Sequence, residues 1–123
     1  MLASAIIPAA GSGKRFGEKK QFKELSGRPL IYFTLTPFLK SSAIDDIIIP
    51  AQKKDFDKLA SVVDSIATVK KISIIEGGDT RQGSISNALA QINSQTEYVC
   101  VHDAARPFVS RELIEKLINA LKT

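Results

Sequence analysis

The sequence predicts an α/β fold, a Rossmann-like three-layer α/β/α arrangement around a mostly parallel sheet, with residues 1–123 forming one domain. Three observations carry this. Four short apolar or β-branched runs each give way to a loop and then, directly or after a polar stretch, to a helical pattern, which is the rhythm of βαβ units with a buried parallel sheet. Hydrophobic residues make up 44% of the 123, enough for one modest core. The glycines and the unusual polar residues fall just beyond the carboxyl ends of the expected strands, the edge at which open parallel sheets bind ligands.

The first strand is expected from Ala3 to Pro8. A helical pattern through Leu30, Phe33, Thr34, Phe38 and Leu39 follows Pro29, which suits a first-turn position, and Pro37 is expected to kink or shorten that helix. Ile47 to Pro50 is a continuous apolar run and gives the second strand. The second helix is expected over about Lys54 to Ile66, because Phe56, Leu59, Val62, Val63 and Ile66 share one face at spacings of three and four. Ile72 to Ile75 forms the third strand. A third helix from about Arg81 to Ile92 turns Ile85, Leu89 and Ile92 inward. Tyr98 to Val101 is the fourth strand, and a last helix spans about Arg111 to Leu121 behind Ser110 as N-cap.

Charge narrows the function classes. The formal net charge is +4. All of that excess lies in the first 23 residues, where Lys14, Arg15, Lys19, Lys20 and Lys23 face Glu18 alone. The remaining charges balance, interspersed and without an aromatic-rich basic stripe, so nucleic acid is not the expected partner. An excess confined to one loop beside glycine backbone points instead to a local polyanion, since glycine lets N–H groups approach phosphate oxygens while Lys and Arg neutralise them. Cys100, the single cysteine, excludes an internal disulfide and lies in the buried strand pattern. The apolar run from Leu2 to Ile7 is too short for a membrane span or a signal segment, so a cytoplasmic location is expected.

Familiar phosphate loops do not fit. A Walker A loop ending at Gly13-Lys14 needs glycine at position 8 and Ser or Thr at 15, where the chain has Pro8 and Arg15; a dinucleotide fingerprint starting at Gly11 needs glycine where Phe16 stands. What remains is a small-residue run, Ala9-Ala10-Gly11, suited to lie against a base or sugar, followed by a cationic turn through Ser12, Gly13, Lys14 and Arg15. Ser12 lacks a nucleophile elbow because position 14 is Lys14. Gly77 to Ser84 offers backbone donors and a hydroxyl at a helix start, with Asp79 or Thr80 as plain helix caps in the alternative. Asp103 is suited to Mg²⁺, which prefers carboxylate and phosphate oxygens, or equally to a turn ion pair with Arg106. His102, without metal-ligating partners at zinc spacing, is expected to pack or hydrogen-bond at a strand end.

Four segments in this order and spacing resemble the 2-C-methyl-D-erythritol 4-phosphate cytidylyltransferase family: Pro8-Ala9-Ala10-Gly11-Ser12-Gly13-Lys14-Arg15, Lys20-Gln21-Phe22, Gly77-Gly78-Asp79-Thr80-Arg81 and Val101-His102-Asp103-Ala104-Ala105-Arg106-Pro107. Ribitol 5-phosphate cytidylyltransferase carries similar motifs. The resemblance implies the nucleotidyltransferase form of the α/β fold and a Mg²⁺-dependent reaction of CTP with a polyol phosphate that releases pyrophosphate. It also implies Arg15 and Lys20 as catalytic residues. Ala9, Ala10, Gly11, Ser12, Gly13 and Lys14 would hold the nucleotide, with Gly78, Asp79 and Ser84 reading base and ribose. Asp103 would serve the metal or, with Arg106, the substrate side. The family's chains are nearly twice as long and are expected to pair as homodimers. This sequence departs from them in having Lys19 before the motif lysine and a compact Gly17-Glu18 link. It is therefore expected to be the nucleotide-binding half of a longer protein, either a non-catalytic binding module or an enzyme portion with little or no transferase activity alone, and with sheet edge and apolar helix faces exposed.

Overall fold

A computed structural model describes residues 2–10, 20–107 and 109–121. Its centre is a four-stranded sheet of β1 (Leu2–Ile6), β4 (Asp46–Ala51), β5 (Lys71–Glu76) and β6 (Thr96–Val101), in the order β5-β4-β1-β6. Every pairing is parallel, with Ile6 opposite both Ile48 and Val101, and Ala51 opposite Glu76. All four strands therefore end at one edge. The two central strands are buried on both faces almost throughout, whereas β5 and β6 are half-buried at the margins. Burial on both faces is why Ile47 to Pro50 appears in the sequence as an unbroken apolar run rather than an alternating one.

Helices α1 (Leu30–Lys40), α2 (Phe56–Asp64), α3 (Arg81–Leu89) and α4 (Arg111–Leu121) cover the two faces. Ala3, Ala5 and Ile7 of the first strand region, with Ile47 and Ile49, face Ile31, Leu35 and Phe38 of α1, Leu59 of α2, and Ile114 and Ile118 of α4. Ile6 and Ile48 point the other way, against Ala88 of α3. The asymmetry follows from handedness. The chain moves outward from β1 to β4 to β5 with α1 and α2 on one face, then reverses past β1 to β6, and a right-handed crossover in the opposite direction puts α3 on the opposite face.

The expected elements are all present, with local corrections. Helix α1 is not cut short at Pro37 but runs to Lys40, and Pro29 lies just ahead of it in extended conformation rather than in its first turn. A 3₁₀ turn at Lys53–Asp55 occupies the start expected for α2. Leu89 is not inward but half exposed; Ser84 and Ala88 form the buried stripe of α3, because two small residues four apart let the helix sit close to the sheet. Ser110 caps α4 as expected, its hydroxyl accepting from Leu113 N–H at 3.0 Å. One element was not anticipated. The hairpin of β2 (Glu24–Leu25) and β3 (Arg28–Pro29) turns through Ser26 and Gly27, both with positive φ, the requirement of a tight type I′ turn. Leu113, Leu117 and Leu121 form a half-exposed apolar stripe on α4. Among the described residues no helix is long and apolar enough to cross a membrane.

Thr34, fully buried in α1, ties this helix to the loop after β6 by donating to Ala104 O at 2.8 Å. Thr34→Val keeps the shape and leaves that carbonyl without its donor, so the chain should lose about 1–3 kcal/mol of stability, measurable by urea denaturation.

Candidate active site

The strand ends do not release the chain at once. Beyond β1, Ile7 N–H donates to Ile48 O at 2.9 Å and Ala9 N–H to Pro50 O at 2.7 Å. Gly77 N–H, just after β5, donates to Ala51 O at 2.8 Å; after β6, His102 N–H reaches Ile6 O at 3.0 Å and Ala104 N–H reaches Pro8 O at 3.2 Å. The ladder thus continues past the strands and binds three loops side by side. They border one cavity of about 1620 Å³, whose lining includes Ala9, Ala10, Lys20, Gly78, Asp79, Ser84, Asp103 and Arg106. The crevice opens where the strand order reverses, between the ends of β1 and β6 and across to β5.

Of the residues singled out from the sequence, these eight come together; Gly11, Ser12, Gly13, Lys14 and Arg15 lie outside the described residues. Lys20 opens a 3₁₀ turn, Lys20–Phe22, and is exposed at the cavity with Lys53 and Lys54. Behind it, Gln21 is buried and its amide donates to Ala9 O at 2.9 Å. From the other side the amide of Gln52 donates to Ala10 O, also at 2.9 Å.

The Gly77-Gly78 segment is shaped by close approach. A Cβ on Gly77 would lie 2.5 Å from the Ala10 Cβ and 2.8 Å from Ser84 Oγ, and one on Gly78 would lie 2.8 Å from the Gly83 carbonyl carbon. No side chain fits either place, so the loop lies directly on the first turn of α3. Thr80, rather than Asp79, is the cap, its Oγ1 accepting from Gly83 N–H at 2.9 Å. Ser84 is buried, and its hydroxyl accepts from Gly78 N–H at 3.0 Å, holding the glycine backbone in place.

Across the cavity, Asp103 meets two guanidinium groups. Arg81 Nε donates to Oδ1 at 3.0 Å, and Arg106 Nε stands 3.4 Å from Oδ2. The turn ion pair with Arg106 is present, and Arg81 of α3 joins it, linking the loops after β5 and β6. All three side chains are more than one-third exposed, so the pairs contribute little to stability; they keep cations beside the crevice. Among the described residues no three Cys, His, Asp or Glu side chains cluster in a way that would hold a metal. Asp103 is a single carboxylate in a cationic setting, a donor set suited to an ion that arrives with ligands of its own. His102 is packed as expected, with Nε2 2.7 Å from Arg106 O and its ring 5.5 Å from that of Phe38. Arg81 and the two glutamines were not singled out as site residues from sequence. Arg81 stood inside a recognised motif, but nothing local indicated that its partner would be 22 residues away.

A doubly wound α/β domain with cations, exposed backbone and a helix start gathered at its switch point has the form of the nucleotidyltransferase fold that its solved relatives share. The family model for 2-C-methyl-D-erythritol 4-phosphate cytidylyltransferase matches residues 3–123, and the chain belongs to that family. The enzyme of that name from Clostridium botulinum is 38% identical over 94% of this chain and 52% of its own length. Its Thermotoga neapolitana counterpart is 43% identical over the same shares. The crystal structure of 4-diphosphocytidyl-2C-methyl-D-erythritol synthase from Anaerococcus prevotii superposes with a TM-score of 0.86 at 35% identity, covering 99% of this chain and 52% of that one. The chain thus spans about half the length of the relatives it matches.

Two expectations follow. Gly78→Ala forces its new methyl against the backbone of α3, which cannot yield as a side chain tip does, and should cost about 1–3 kcal/mol in thermal or urea unfolding. Burial pushes the Cys100 thiol above its ordinary pKa, so near neutral pH it should stay protonated and alkylate several-fold more slowly than free cysteine, the difference narrowing as pH rises.

Proposed function

We propose that the crevice binds CTP and that the protein to which these 123 residues belong transfers the cytidylyl group to 2-C-methyl-D-erythritol 4-phosphate. One observation carries this reading: the loops after β1, β5 and β6, each bearing a motif of the family, border a single cavity. In the proposed reaction an oxygen of the polyol phosphate attacks the α-phosphorus of CTP in line, and pyrophosphate departs. Negative charge gathers around phosphorus, so position and cations supply most of the acceleration.

The roles divide by loop. Ala9 and Ala10, with Gly11, Ser12, Gly13 and Lys14, support the nucleotide, and Arg15 and Lys20 stabilise the charge that develops on the phosphates. Gly78 and Asp79 face base and ribose, with Ser84 fixing the Gly78 peptide and completing the pocket. A pocket of this kind excludes purines by size and uracil by hydrogen-bond polarity. Arg106 and Asp103 serve the polyol phosphate. Mg²⁺, when bound, would neutralise phosphate charge, held chiefly by the triphosphate's own oxygens with Asp103 as the carboxylate at hand. A cytoplasmic setting and homodimeric assembly complete the reading.

Calorimetric titration of the 123-residue chain with CTP, UTP, ATP and GTP in Mg²⁺ tests the binding half of this reading. CTP should bind most tightly, without pyrophosphate release by this chain alone; indifference among the four nucleotides would refute it. For the transfer step, a protein carrying the full family length should turn over methylerythritol phosphate in preference to ribitol 5-phosphate. There, Lys20→Ala should lower kcat by orders of magnitude, because the lysine is asked for several kcal/mol at the transition state. An unchanged rate would remove its assigned role.

A further inference from the structure

We infer that Gln21 and Gln52 are positioning residues: together they clamp the two peptide carbonyls at the end of β1 and thereby present the Ala10 N–H to the nucleotide. The inference rests on the nucleotide-binding reading of the crevice. Ala9 is held at both ends, its N–H by Pro50 O at 2.7 Å and its carbonyl by the Gln21 amide at 2.9 Å. The next carbonyl, of Ala10, takes the Gln52 amide at 2.9 Å. In a planar trans peptide the C=O and the following N–H point in opposite directions, so anchoring Ala9 O fixes the direction of the Ala10 N–H. Among the described residues that N–H donates to no acceptor, and Ala10 lines the cavity. A backbone donor left unpaired, between two carbonyls that are both engaged, is the expected state of a group reserved for a ligand.

The two glutamines reach this point from different directions. Gln21 is buried in the turn after Lys20, and Gln52 follows the neighbouring strand β4. Burial of the Gln21 side chain makes its hydrogen bond costly to lose and restricts its rotamers, as an orienting group requires. Neither amide needs to touch the nucleotide for this role.

The test uses Gln21→Met and Gln52→Met, which keep length and remove the donor, with the partly exposed Gln52 as the variant least prone to disturb folding. Each should raise the CTP dissociation constant about tenfold by calorimetry. In ligand-free NMR spectra Gln21→Met should displace the Ala9 carbonyl ¹³C and Ala10 amide ¹⁵N resonances, and Gln52→Met the Ala10 carbonyl resonance. A merely structural role would lower the melting temperature while the folded variant kept the wild-type CTP affinity. Variants that keep wild-type shifts, or that bind CTP as tightly as a wild type that does bind it, would overturn the clamp. A wild-type chain that binds no CTP would overturn the nucleotide reading instead, and the ligand-free shifts would still decide whether the clamp exists.

Discussion

The continuation of the backbone ladder past the strand ends is the constraint on which the site depends. Parallel strands that simply stopped at Ile6, Ala51, Glu76 and Val101 would release three loops free to diverge. Instead Ala9, Gly77, His102 and Ala104 each donate to a carbonyl on the adjacent segment, so the loops leave the sheet already in register. Buried side chains then finish what the ladder begins: Thr34 holds Ala104, Gln21 holds Ala9, and Ser84 holds Gly78. The crevice is thus defined largely by main chain, which cannot be repositioned by a change of rotamer. Such rigidity is what in-line phosphoryl chemistry asks of a protein, because little is gained from a cation that must first be brought into place.

The glycines show how local sequence and tertiary packing meet. Gly77 and Gly78 are required by proximity: Ala10, Ser84 and the Gly83 backbone already occupy the space of a side chain. Small residues in three segments, Ala10 beyond β1, Gly78 in the loop, and Gly83, Ser84 and Ala88 on α3, allow α3 and its preceding loop to lie close against the sheet and the chain beyond β1. The Arg81–Asp103–Arg106 cluster then spans the opening, keeping two guanidinium groups beside the crevice on the side where β6 delivers its loop.

Most of the fold was legible because a parallel sheet with both faces covered leaves continuous apolar runs, and Ile47 to Pro50 is unmistakable in that respect. The location of the site was legible because strand direction alone fixes which loops share an edge, and no exact strand order is needed. What escaped had other causes. The β2–β3 hairpin has strands of two residues, too short for periodicity, and its one signal was the Ser26-Gly27 pair. Leu89 was placed inward by hydrophobic spacing, whereas the close approach of α3 favours the small Ser84 and Ala88. The tethers from Gln21, Gln52 and Thr34 are side chain to main chain contacts across long stretches of sequence, and only the folded chain reveals them.

The central claim is that the three loops form one nucleotide site. A crystal structure of the chain with CTP and Mg²⁺ tests it most directly. The account predicts density for the nucleotide in the crevice, touching the Ala9–Ala10 backbone and the Gly78–Ser84 segment, with its phosphates and Mg²⁺ turned toward Asp103. A nucleotide bound elsewhere, or one with its phosphates and Mg²⁺ turned away from Asp103, would contradict it.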